Sequence, residues 1–249
     1  MAEADLYFSS IAELNERLRR REVSATELAR AYVRRLARLG PKLNALALPL
    51  EKQAVRRAKE AHKEIRRERL RGPLQGIPWA AKDLLAVEGL PTTWGAPPCA
   101  RQVFQYTATA VEKLNRVGAP LVGKLAMIEL AGGGGYRMAG ASLTGPCLNP
   151  WDRTRWAGGS SSGCGAAVAA GLVPFAIGSE TSGSIVTPAA FCGVTALRPT
   201  YGLVSRYGAM ALSWTMDKLG PLCRTADDCG IILAAIAGPD PLDPSAVDR

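Results

Sequence analysis

Residues 158–171 read Gly-Gly-Ser-Ser-Ser-Gly-Cys-Gly-Ala-Ala-Val-Ala-Ala-Gly, and residues 178–188 read Gly-Ser-Glu-Thr-Ser-Gly-Ser-Ile-Val-Thr-Pro. Between them lies a short apolar run, Val173-Pro-Phe-Ala-Ile177. This pattern predicts two Gly/Ser loops joined by a small-residue helix and a buried strand. Working outward, Ile77 to Ala81 reads as a second buried strand leading into Lys82-Asp83, and Ala119 to Val122 as a third. Thr109 to Val117 reads as a helix stopped by Gly118, Thr225 to Ala237 as a capped helix, and Gly193 to Leu197 as a further strand. Helices alternating with short apolar strands predict an α/β fold, a mixed sheet covered by helices on both faces.

The chemistry of the two loops follows from their residues. Consecutive small residues let the backbone turn tightly and aim several N–H groups into one concavity, as an oxyanion requires. Serines set in such a loop are candidate nucleophiles, and a serine needs a base. The 249-residue chain has one histidine, His62, which lies in a charged stretch predicted to be helical. That count excludes zinc sites needing several imidazoles and leaves a Ser-His-Asp triad a single possible base. The remaining candidate is a lysine kept neutral by burial. Lys82, which follows the apolar run Ile77–Ala81, is the best placed. Against this stands the plainer reading of flexible loops and a surface Lys82-Asp83 pair, and composition alone does not separate the two.

Four separated blocks carry a resemblance. They are Gly76-Ile-Pro-Trp-Ala-Ala-Lys82-Asp83, the Ser160 loop, the Ser184 loop, and Pro188-Ala-Ala-Phe-Cys192 through Arg198-Pro199-Thr-Tyr-Gly to Tyr207-Gly208. Together and in this order they resemble the amidase signature family. The resemblance implies a Ser–Ser–Lys triad with Ser184 as the nucleophile that forms an acyl-enzyme. It implies Ser160, on a cis peptide, as the proton relay and Lys82 as the base. The backbone amides of Thr181, Ser182, Gly183 and Ser184 are the implied oxyanion hole, with Ser161 supporting the network. No metal or organic cofactor is implied.

The implied substrate is a small linear carboxamide. Two further readings stand beside that one. The first is the glutaminase-like component of a tRNA-dependent amidotransferase, which needs partner subunits. The second is an amidase-like protein that binds or scaffolds without catalysis. A homo-oligomer is also compatible. This chain departs from the family pattern at Ser182, where Gly or Ala is usual, and at Val186, where Arg is usual. With the triad residues present, these departures read as a variant subfamily. The resemblance runs from about Ser9 onward and corresponds to about the N-terminal half of a typical member.

The remaining composition narrows the class further. Lys and Arg number 31 against 22 Asp and Glu, a net charge of +9. Residues 1–72 hold 18 basic and 10 acidic side chains, so nearly the whole excess sits there. Glutamates are interleaved in runs such as Arg66-Arg-Glu-Arg-Leu-Arg71 and no aromatic accompanies them, so a solvated helical cover is expected rather than direct nucleic-acid binding. Residues 1–72 are thus read as that cover and 73–249 as the catalytic region of one domain. Ser10-x-x-Glu13 and Ser24-x-x-Glu27 fit capping boxes. Gly40-Pro41 closes the second helix, and a third is expected from about Glu51 to Leu70.

The six cysteines form no C-x-x-C pair, and neither a signal peptide nor a membrane span is evident, so a cytoplasmic protein with reduced thiols is expected. Gly118-Ala-Pro-Leu-Val-Gly123-Lys124-Leu125 approaches a phosphate-binding loop but lacks the hydroxyl after the lysine, and Pro120 removes an amide; a strand is expected there. The run Gly132 to Gly135 fits either a close backbone approach to a ligand or a turn.

Overall fold

The computed structural model describes residues 3–132 and 138–248. Six strands form one mixed sheet: β1 (Leu46–Pro49), β2 (Trp79–Lys82), β3 (Leu121–Leu125), β4 (Phe175–Glu180), β5 (Thr195–Ala196) and β6 (Lys218–Cys223). The helices are α1 (Glu3–Phe8), α2 (Ile11–Arg19), α3 (Ala25–Leu39), α4 (Glu51–Arg66), α5 (Thr109–Arg116), α6 (Ser162–Ala169), α7 (Val186–Cys192) and α8 (Ala226–Ile236).

The strand order is β1-β3-β2-β4-β6-β5. Strand β2 runs parallel to both β3 and β4, while β1, β6 and β5 are antiparallel to their neighbours. The chain leaves β2 toward β3 on one side and comes back to β4 on the other. At such a reversal the loops leaving the carboxyl ends of the two strands diverge, and a crevice opens between them. Lys82 ends β2, and Ser179-Glu180 end β4.

Alternation along the strands sends side chains into two apolar layers. Trp79, Ala81, Phe175 and Ile177 join one layer with Leu14 of α2, Leu114 of α5 and Ile232 of α8. Ala80, Val122 and Ala176 face the other, with Leu36 of α3, Val168 of α6 and Ala189 of α7. Helices therefore cover both faces, as the sequence predicts.

Local signals in the sequence are realised closely. Ser10 and Ser24 both form full capping boxes, each hydroxyl accepting from the amide three residues on while the glutamate accepts from the serine amide. Helix α3 stops at Leu39 with Gly40 as its cap. Helix α4 ends at Arg66 rather than Leu70. Its apolar stripe, Ala54, Ala58 and Ala61, is exhausted after Ile65, and Glu68 takes a left-handed conformation. Beyond it the chain folds back, where Arg71 and Gln75 both bond Glu64.

Two strands lie outside the sequence expectation. β1 belongs to the N-terminal stretch read as helical, so that stretch also supplies an edge strand. β6 contains Gly220-Pro221, and proline in a strand argues against the assignment because it cannot donate to a ladder. Strand β3 occupies the phosphate-loop look-alike, and Lys124 is fully buried in it. Of the run Gly132–Gly135, residues 133–135 lie outside the described residues. Among the described residues no helix is long and apolar enough to cross a membrane.

Candidate active site

The site is built at the carboxyl ends of β2 and β4. Lys82 is wholly buried, and its Nζ lies 2.7 Å from Ser160 Oγ and 2.9 Å from Ser179 Oγ. Burial lowers the amine's pKa from its ordinary value to about 7, the nearby Asp217 and Glu180 carboxylates only partly opposing the shift. At neutral pH a large fraction of this amine is therefore unprotonated and able to accept a proton. The surface-pair alternative for Lys82-Asp83 fails, because Asp83 is buried too and pairs with the Lys124 ammonium at 2.9 Å.

Ser160 is fully buried and follows a cis Gly159–Ser160 peptide bond. Its carbonyl accepts from the Ile128 amide at 3.1 Å. The next residue, Ser161, precedes α6 and ties three segments together: its hydroxyl donates to the Ser179 carbonyl at 3.2 Å and accepts from the Ser179 amide at 3.3 Å. Its own amide donates to the carbonyl of Ser184 at 3.1 Å. Helix α6 can press this close to its neighbours only because its first turn is small. A Cβ at Gly163 would lie 2.5 Å from the Ala45 carbonyl oxygen and 2.6 Å from the Ala126 amide nitrogen.

Ser184 is buried at the end of the 181–184 loop. The positive φ of this loop falls on Gly183, at +96°, whereas Ser182 is absent from the left-handed positions. Serine at 182 therefore carries no backbone strain, and it is exposed. Val186 is also exposed and opens α7.

Three residues that sequence reasoning did not single out hold this loop. Glu180, fully buried, accepts from the amides of Ile185 (2.7 Å) and Val186 (2.9 Å) and pairs with Arg198 at 3.4 Å. Burial alone would raise its carboxyl, but the amides of Val186, Gly183 and Ile185 with Arg198 outweigh that and hold it below its ordinary range. Thr181 donates its hydroxyl to Asp217, whose other oxygen accepts from the Leu212 amide at 2.6 Å. Lys218 donates to the Thr181 carbonyl at 3.1 Å. Ser179 and Glu180 stand within the quoted 178–188 block, so a strand continued past Ile177 would have exposed them; Asp217 has no local signal.

A cavity of about 340 Å³ reaches Ser179 and Asp217 and is walled by Tyr106, Tyr207, Met210 and Trp214. His62 lies elsewhere, beside Glu27 and Arg66 in a cleft between N-terminal helices. Among the described residues no group of three or more His, Cys, Asp or Glu side chains is placed to hold a metal ion.

The structural arrangement agrees with comparison to known proteins. A family model described as Amidase matches residues 27–249. The chain belongs to the amidase family. This family member is 43% identical over 244 residues to a glutamyl-tRNA(Gln) amidotransferase subunit from Methylococcus capsulatus, covering 98% of the chain and 50% of that protein. The native peptide amidase of Stenotrophomonas maltophilia superposes with a TM-score of 0.89 at 38% identity, over 96% of the chain and 50% of the other. The glutamyl-tRNA(Gln) amidotransferase subunit of Thermotoga maritima superposes with a TM-score of 0.82 at 33% identity, over 100% of the chain and 51% of the other. The chain thus spans about half the length of the relatives it matches.

Proposed function

We propose that this amidase family member is the catalytic part of an amidohydrolase that cleaves a linear carboxamide through an acyl-enzyme on Ser184. The observation that carries the reading is the wholly buried Lys82 amine, lowered to about 7 and 2.7 Å from Ser160 Oγ. In the proposed sequence the neutral amine takes the Ser160 hydroxyl proton, Ser160 takes that of Ser184, and Ser184 Oγ attacks the amide carbonyl. The amides of Thr181, Ser182, Gly183 and Ser184 receive the developing oxyanion. The C–N bond then breaks, the leaving nitrogen takes the proton back through Ser160, and water hydrolyses the ester. Ser161 acts by positioning, since its bonds join Ser179 to Ser184.

A fluorophosphonate probe tests this directly. A single adduct is expected on the peptide containing Ser184, and none on folded Ser184→Ala. Folded wild-type protein that acquires no adduct there would refute the assignment.

The pH dependence carries a definite sign. Lys82 acts as base only when deprotonated, and its folded pKa is near 7, so the labelling rate should rise from pH 6 to 8 and level above. A rate still climbing steeply toward pH 10 would mean that the titrating amine is not depressed, and the proposed base would be wrong.

A second reading follows from the relatives named as amidotransferase subunits. On it the amide is the side chain of glutamine, and the chain works with partner proteins. Glutaminase activity that emerges only once such partners have been added would select this reading over a free-standing amidase. Both use the same proposed triad.

A further inference from the structure

Cys223 and Cys229 stand apart from the other thiols. Cys223 ends β6 and Cys229 sits in the first turn of α8, the helix capped by Thr225. Their sulfurs are 3.2 Å apart, and both side chains are buried. All six cysteines are free thiols. A disulfide bond is about 2.05 Å long, so these sulfurs, 3.2 Å apart, need to close by only about 1.1 Å. We propose that Cys223 and Cys229 are a redox modification site that forms an intramolecular disulfide on exposure to hydrogen peroxide.

The surroundings support a division of labour between the two. The Cys223 thiol hydrogen bond holds Cys229 below its ordinary pKa, while the same contact pushes Cys223 up. Burial pushes Cys147, Cys164 and Cys192 in the opposite direction from Cys229. A thiolate is the form that reacts with peroxide, so Cys229 is the first to be oxidised. Its sulfur attacks the O–O bond and becomes a sulfenic acid, and the departing hydroxide is protonated to water. Cys223 then attacks the Cys229 sulfur, the S–O bond breaks, and a second water leaves. The two thiols give up two electrons and two protons, and one peroxide is reduced to two waters.

Access is through the sheet edge. Cys223 is paired with Thr195 of β5, which is two residues long and ends the sheet. Local opening of so short an edge strand is the proposed route for a molecule little larger than water.

The sequence supplies a clean assay, because Arg224 lies between the two cysteines and Lys218 precedes them. Trypsin therefore places Cys223 in peptide 219–224 and Cys229 in peptide 225–249. After peroxide treatment of the folded wild-type chain and blocking of remaining thiols, the two peptides should elute as one species. That species should be two hydrogens lighter than their sum and should separate on reduction, with two of the six titratable thiols lost. Peroxide that oxidises Cys99 or another cysteine while these peptides stay separate would overturn the proposal. So would Cys229 recovered only as a sulfinic or sulfonic acid.

Discussion

Lys82→Met should slow acylation of Ser184 by about 10²–10⁴-fold, the usual contribution of a positioned general base, with the protein still folded. Methionine keeps most of the volume of the stem and has no proton-accepting amine. Because the native lysine is wholly buried and its amine is readily neutral, its removal deletes a desolvated polar group rather than one of a charge pair. The buried Ser160 and Ser179 hydroxyls each lose one partner, so the loss of rate is accompanied by a loss of stability on the order of 1–3 kcal/mol. Rates of fluorophosphonate labelling beside a thermal melt separate the two effects. Labelling at the wild-type rate in Lys82→Met would remove the lysine from the mechanism.

The largest loss of stability should come from the neighbouring pair. Lys124 and Asp83 are both buried, 2.9 Å apart, and Lys124 also donates to Thr92 Oγ1 at 2.6 Å and to the Pro91 carbonyl at 3.1 Å. Breaking a buried ion pair by removing one member costs about 3–5 kcal/mol, because the other charge is left in a low-dielectric interior. Asp83→Asn retains an oxygen for the Thr93 amide but withdraws the charge facing Lys124. Lys124→Met leaves the Asp83 carboxylate without its cation. Each single variant should lose that much unfolding free energy in urea titrations. The double variant should lose about 1–3 kcal/mol less than the sum of the two, since neither charge is then stranded. Simple additivity would show that the two side chains do not act as a pair.

What the sequence discloses depends on how far apart in the chain the interacting groups lie. The capping boxes at Ser10 and Ser24 each join residues three positions apart, and both are readable from the sequence. Lys82, Ser160 and Ser184, the residues of the proposed triad, can be singled out because each stands in a compact block. The extra support around them is not. Glu180 reads as a loop acid until β4 is seen to extend through it and the amides of Ile185 and Val186 close on its carboxylate. Asp217 reaches the same loop from 36 residues beyond Thr181, with no intervening pattern. Lys124 is seen as part of a failed phosphate loop, and only the pairing of β3 beside β2 shows that its partner is Asp83. Strand β6 is hidden for a different reason: Gly220-Pro221 resembles a turn, and tertiary pairing with β4 overrides that preference.

The placement of Lys82 on β2 means that the proposed base is a product of folding. In an extended chain a lysine amine has a pKa of about 10.4 and is almost wholly protonated at neutral pH. Its shift here comes chiefly from burial, and its serine partners come from 78 and 97 positions further along. A nascent or unfolded chain therefore holds the three residues as an inert ammonium and two ordinary alcohols. On the proposed mechanism reactivity switches on only with closure of the sheet, and a partly made molecule has no means of acylating itself on the amides around it.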